Sequence, residues 1–190
     1  MNWILASASP RRKELLAELV QQFDILPAKG EERVPDGCSP RETVELLACQ
    51  KAQEICALPQ AKGKAVLGAD TVVAYDGEIL GKPVDTQDAT RMLRLLSGNT
   101  HEVFTGVCIA VPNEDGTRRY IRSSDCTKVR FFALTEEQIA AYVASGSPMD
   151  KAGAYGIQDG GLVEGIDGSF SNVVGLPLEL LAKLIEGINE

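Results

Sequence analysis

The first apolar run of the chain, "WILA" (3–6), reads as a strand, and within three residues it gives way to a helix start. In "SASPRRKELL" (7–16) Ser9 is the predicted N-cap and Pro10 the first helical residue. This change of period recurs down the whole chain and constrains the fold more than any other feature. "FDILPA" (23–28) is a second strand, and Pro40 opens a helix over "RETVELLACQKAQEICA" with apolar residues at helical spacing. "KAVLGADTVVAYDGEILGKP" is strand, turn, strand, with Asp76-Gly77 as the hairpin signal. "DTQDATRMLRLLSG" is a helix capped by Asp85 or Thr86 and stopped at Gly98. Two long strands follow, "HEVFTGVCIAV" and "YIRSSDCTKVRFF". A helix capped by Thr135, with Glu136 and Glu137 in its first turn, comes next. Residues 147–161 form a glycine-rich loop, "LVEGIDGSFSNVVG" is expected as short strands, and Pro177 opens a terminal helix. Strands and helices that mix from end to end specify an α/β or α+β fold.

A chain of 190 residues with 44% hydrophobic and 24% charged residues can bury a core without staples. It is read as a single domain, 1–190, with a lobe boundary expected near residue 98. The net charge of −8 argues against a nucleic-acid polymer held on a broad basic surface. No apolar run approaches a membrane span, and Arg11 and Arg12 interrupt the start too early for a secretory signal. Five cysteines (38, 49, 56, 108 and 126) are odd in number and lack a C-x-x-C pair, so buried thiols in a reducing cytoplasm are expected. Cys49 and Cys56, seven apart, are expected to share a helix face.

Arg11, Arg12 and Lys13 fill the first turn of the opening helix, where the macrodipole repels each cation by about 0.3–1 kcal/mol. A solvated basic turn is the bland explanation. A polyphosphate would turn the repulsion into attraction, through backbone N–H groups and forked guanidinium donors. Ser7 and Ser9 could donate to the same oxygens. Asp70, in "VLGADT", follows an apolar stretch and a Gly, and Glu31-Glu32 lie in a loop. Carboxylates near a phosphate need a hard cation such as Mg²⁺ between them, and such an acid can also deprotonate water. For the Glu31-Glu32 pair alone, a solvated acidic loop is the better reading.

Single lysines usually sit on solvated faces, so Lys51, Lys82 and Lys151 are candidates only in combination. "GEILGK" is one residue short of a Walker A spacing and Pro83 follows it, so it is not a P-loop. His101 is the only histidine and is expected to be a local hydrogen bonder. In "DKAGAYGIQDGG" glycines interleave with Lys151, Tyr155 and Gln158. The Gln158 amide offers both donor and acceptor atoms, as needed for an edge such as that of uracil or thymine.

Taken in order, "SASPRRKELL", "GADTVV", "GKP", "SGNTHEVFTGV", "DKAGAYGIQ" and "SNVVGLPL" resemble the signatures of the Maf family of nucleoside triphosphate pyrophosphatases over nearly the whole chain. "DKAGAYGIQ" resembles the branch acting on dTTP and UTP. The resemblance implies hydrolysis to monophosphate and pyrophosphate with a divalent metal, Mg²⁺ with Mn²⁺ or Co²⁺ as alternatives. It implies an α/β fold with a mixed twisted sheet flanked by helices, and two lobes with a cleft, similar to the inosine triphosphate pyrophosphatases. By motif, Asp70 is the proton acceptor and Arg11, Thr71 and Gln158 are tied to substrate choice. Ser7, Arg12, Glu32, Lys51 and Lys82 match polar positions around phosphates and metal, with Asp70 and Glu32 as metal ligands. Lys151 joins the substrate-binding set, and a homodimer is in keeping with the family. The alternative is a nucleotide-binding regulator of cell division or septum formation with little turnover. House-cleaning of modified nucleotides by the same chemistry is a third reading. One position departs from the pattern. Asp159 follows Gln158 where the family usually has Gly, and it adds a negative charge beside the implied base pocket.

Overall fold

A computed structural model describes residues 1–189. Its strands are β1 (Trp3–Leu5), β2 (Phe23–Ile25), β3 (Ala65–Tyr75), β4 (Glu78–Leu80), β5 (Thr100–Pro112), β6 (Arg118–Phe131) and β7 (Val163–Asp167). Its α-helices are α1 (Pro10–Leu19), α2 (Pro40–Cys56), α3 (Thr86–Leu96), α4 (Glu136–Ala144), α5 (Phe170–Val174) and α6 (Leu178–Asn189). The seven strands form one mixed sheet in the order β2-β1-β3-β5-β6-β7, with β4 paired to β3. β1 runs parallel to both β2 and β3, while the β3–β4 and β6–β7 pairs are antiparallel.

Local chemistry sets most of the boundaries. Ser9 accepts from the Arg12 N–H to start α1. Ser39–Glu42 and Thr135–Gln138 form capping boxes that start α2 and α4. Asp85 accepts from the Asp88 N–H to start α3. Asp76 and Gly77 both take positive φ, 49° and 79°, which a two-residue hairpin turn requires.

Two differences from the sequence reading have clear causes. Residues 170–174 are a helix rather than a strand. The Ser169 hydroxyl accepts from the Asn172 N–H and the Ser169 carbonyl from the Val173 N–H, so a serine cap outweighs the β-branched composition of the segment. The chain also does not divide near 98. It forms two interleaved units, one of residues 1–70, 105–125 and 175–189, the other of 71–104 and 126–174.

In the first unit the alternation of β1 sorts its core. Trp3 and Leu5 face α1 and α6 with Leu16, Val20, Leu176 and Leu181, while Ile4 and Ala6 face α2 with Ala48, Ala52 and Ile55. The second unit has its own core. Val73, Leu93, Leu96, Val103, Phe131, Ile139 and Tyr155 are among its buried members. His101 belongs there, 1% exposed, with Nε2 2.8 Å from the Tyr155 hydroxyl and its ring edge-on to Phe131 and Tyr155. The cysteines are all free thiols, of which Cys49 and Cys108 are buried. No described helix is long and apolar enough to cross a membrane.

Candidate active site

From β1 the chain goes by α1 to β2 on one side, then returns by α2 to β3 on the other. The carboxyl end of β1 and the middle of β3 beside it therefore flank a topological switch point, the kind of place where open α/β sheets bind ligands. The parallel register pairs Leu5 with Leu67, and the Ala6 N–H donates to the Leu67 carbonyl at 2.8 Å. Just past this paired stretch lie Ser7, two residues beyond β1, and Gly68-Ala69-Asp70, which continue β3.

Two glycines bring α2 down onto the sheet. A Cβ at Gly68 would stand 2.1 Å from the Ala48 carbonyl oxygen and 2.9 Å from the Ala52 nitrogen. A Cβ at Gly106 on β5 would stand 2.4 Å from the Val44 carbonyl carbon. The helix backbone thus rests directly on the strands, as only glycine permits. Lys51 lies between Ala48 and Ala52, and its side chain reaches Asp70, two residues beyond Gly68.

The Lys51 ammonium donates to Asp70 Oδ1 at 2.5 Å and lies 2.9 Å from Glu32 Oε1. Asp70 and Lys51 are 13% and 18% exposed, Glu32 54%. The loop bearing Glu32 is tied to the same helix. Glu54 accepts from the Lys29 and Gly30 N–H groups, and Gln50 exchanges hydrogen bonds with the Arg33 backbone. Glu31 instead pairs with Arg33 in solvent. The solvated reading of the acidic loop therefore fits Glu31, whereas Glu32 faces Lys51.

The cations of α1 also divide. Lys13 is exposed, and Arg11 and Arg12 are half-buried. Arg12 Nε donates to the Gly175 carbonyl at 2.8 Å and Nη1 to the buried Ser7 hydroxyl at 3.4 Å. Burial lowers its pKa from the usual guanidinium value; Asp70 opposes that shift, Arg11 adds to it and Glu32 opposes it again. Arginine remains charged under such a shift. The first turn of α1 contains no acid, so its dipole and Arg12 present positive charge beside Asp70 and Glu32. Ser7, Arg12, Glu32, Lys51 and Asp70 thus form one constellation within the first unit.

The remaining candidates lie in the second unit. Thr71 follows Asp70 along β3 and is half-buried, and Lys82 is exposed in the bend before α3. Gln158 is exposed in a short turn over Ile157–Asp159. Lys151 is engaged within its own loop, donating to the Ser147 carbonyl at 2.6 Å and to Asp150 at 2.9 Å. Asp159 does not present an uncompensated charge. It accepts from the Tyr142 and Ser147 hydroxyls, with Lys151 nearby. Tyr142 and Ser147 had no sequence signal, because neither spacing nor composition marks a tyrosine on one helix as the partner of an acid 17 residues later.

The Maf-like protein family pattern matches residues 2–188. The chain belongs to that family. A Thermococcus gammatolerans protein named dTTP/UTP pyrophosphatase is 48% identical over 187 residues, covering 96% of this chain and 95% of the relative. One of the same name from Ruminiclostridium cellulolyticum is 44% identical over 192 residues, covering 100% and 97%. Among solved structures, a HAM1 protein from Coxiella burnetii superposes with a TM-score of 0.55 at 14% identity, covering 98% of this chain and 99% of that one. At that identity the likeness concerns the fold, and it agrees with the mixed sheet of this Maf-like protein.

Proposed function

We propose that this Maf-like protein hydrolyses nucleoside triphosphates, dTTP and UTP foremost, to the monophosphate and pyrophosphate. Its relatives of that name at 44–49% identity support the reaction class. The observation that carries the mechanism is the Lys51 ammonium held between Asp70 and Glu32 at the switch point beside Arg12.

Asp70 and Glu32 are the residues that would hold a divalent cation. Their oxygens already converge on a single positive charge, and hard cations favour oxygen ligands. Among the described residues no group of three or more His, Cys, Asp or Glu side chains forms a ligand set, and a cation held by one or two carboxylates commonly keeps waters and substrate phosphate oxygens as well. When bound, the cation supplies positive charge to the phosphate oxygens.

The chain's own groups do the remaining work. Arg11, Arg12 and the first turn of α1 attract the triphosphate. The triphosphate gives Lys51 an alternative anion, and as Lys51 turns to it a lone pair on Asp70 is released. Asp70 then takes a proton from a water that attacks the α-phosphorus. The new P–O bond forms as the bond to the α,β-bridging oxygen breaks, and that electron pair leaves on pyrophosphate. Gln158, with both donor and acceptor atoms, reads the uracil or thymine edge. Thr71 and Lys82 complete the substrate contacts that the family motifs imply.

The test is pyrophosphate release from a panel of nucleoside triphosphates with Mg²⁺, Mn²⁺, Co²⁺ or chelator. Metal-dependent release from dTTP and UTP is expected, with little from ATP or GTP. Asp70→Asn should lose about 10²–10⁴ in rate with the fold intact, the usual worth of a general base. Full activity in that variant would remove Asp70 from the chemistry. Tight nucleotide binding with no release from any substrate would favour the regulator instead.

A further inference from the structure

The turn that carries Gln158 is tied down in part through a carboxylate oxygen of Asp159. Asp159 Oδ2 accepts from the Tyr142 hydroxyl at 2.5 Å and from the Ser147 hydroxyl at 2.6 Å. Each hydroxyl passes the connection on. Tyr142 Oη accepts from the Gly156 N–H at 3.0 Å, and Ser147 Oγ accepts from Lys151 Nζ at 3.1 Å. The same ammonium lies 3.9 Å from Asp159 Oδ2. Gly156 and Asp159 therefore both connect to Tyr142, and they bracket Ile157 and Gln158. Packing reinforces the arrangement: a Cβ at Gly156 would stand 2.7 Å from Lys151 Cε and 3.0 Å from Asp159 Oδ2.

We propose that Asp159 is a positioning residue for substrate choice: its carboxylate oxygen fixes the turn that presents Gln158, and so sets how sharply the protein discriminates among pyrimidine bases. The proposal rests on the reading of Gln158 given above. An exposed glutamine amide can rotate and can present either its carbonyl or its NH₂ to a base, so by itself it discriminates poorly. Discrimination requires the backbone on both sides of it to be held. The Tyr142 hydroxyl is suited to that task because it remains a donor throughout the physiological range. Burial, then the bond to Asp159, pushes its pKa up to about 12. The negative charge of Asp159 is answered by the hydroxyl donors of Tyr142 on α4 and Ser147 and by Lys151, so its effect on substrate acts through geometry.

The test compares Asp159→Ala, Asp159→Asn and Tyr142→Phe with wild type, using UTP and CTP as the discriminating pair. Asparagine keeps an oxygen that can accept both hydroxyls; alanine keeps none. Asp159→Ala and Tyr142→Phe should each lower the UTP-to-CTP ratio of kcat/KM by about three- to tenfold, the range set by one or two lost hydrogen bonds. The loss should appear in KM for UTP with kcat nearly unchanged, and Asp159→Asn should stay within about twofold of wild type. The double variant should lose little more than either single, since both break the same connection. Hydrogen exchange over residues 155–161 reads the tether without substrate. It should quicken in Asp159→Ala and Tyr142→Phe and stay unchanged in Asp159→Asn. An unchanged ratio in Asp159→Ala, unchanged exchange, or an equal loss in Asp159→Asn would each overturn the proposal. Absence of pyrophosphate release by the wild type would instead defeat the functional reading, and the exchange measurement would still decide the tether.

Discussion

Replacing Gly68 by alanine tests whether the closeness of α2 to β3 builds the candidate site. The new Cβ would stand 2.1 Å from the Ala48 carbonyl oxygen, and ordinary contact begins at 3.4 Å, so the gap must open by about 1.3 Å. Both partners are backbone, one in a strand and one in a helix, so no side chain can swing aside. Overpacking of this kind costs about 1–3 kcal/mol. For a chain of this size each kcal/mol lowers Tm by about 2–4 °C, so a fall of roughly 2–12 °C is expected. Lys51 lies between Ala48 and Ala52 and must move with them. Its 2.5 Å bond to Asp70 then lengthens beyond hydrogen-bonding distance. Displacement of a reacting group by about 1 Å can cost 10²-fold in rate. Calorimetry and pyrophosphate release from UTP measure the two effects. Gly106→Ala is the internal comparison, because it presses on Val44 and Glu45, nearly two turns before Lys51. It should destabilise similarly and slow the reaction less. Gly187→Ala, on an exposed helical position with open space around it, should raise stability by about 0.5–1 kcal/mol and leave the rate alone. A Gly68→Ala protein that melts and turns over like wild type would refute the argument that this contact sets the Lys51–Asp70 geometry.

Lys51→Met should reduce turnover by about 10²–10³ and, without nucleotide, bind Mn²⁺ more tightly than wild type, because two carboxylates lose their resident cation. Unchanged Mn²⁺ affinity by calorimetric titration would mean that Asp70 and Glu32 do not converge on a cation position. Arg12→Lys keeps the charge but loses the fork that spans Gly175 and Ser7, so KM for the triphosphate should rise about tenfold or more, read from initial-rate kinetics. Burial lowers the His101 pKa from 6.5 to about 4, so its contribution to stability is full above pH 6.5 and is lost as pH falls towards 4. Urea melts should show about 2 kcal/mol of this loss between pH 7 and pH 5, and His101→Gln should abolish that part of the dependence.

The sequence carried the elements of this fold plainly wherever a local signal was strong. Ser9-Pro10, Ser39-Pro40, Thr135 and Asp76-Gly77 act within a few residues, and each boundary they mark is present in the structure. The one element misread, α5, turns on a cap whose effect competes with β-branched neighbours, and five residues give too short a period to decide between them. The interleaved units left no trace in composition because β3, β5 and β6 each pass from one unit to the other in mid-strand, without a linker. The candidate site was legible as a set of residue types but not as a set of partners. Asp70, Lys51 and Glu32 were each ambiguous alone, and what unites them is the approach of helix to strand at Gly68 and Gly106 together with a loop pinned by Gln50 and Glu54. These contacts join residues far apart in the chain, and the signal for them was two unremarkable glycines inside strands. A strand glycine is costly unless another backbone must come close. Here the backbone that comes close is the helix bearing Lys51, so the same two residues that weaken the strands as isolated segments place the ammonium between Asp70 and Glu32.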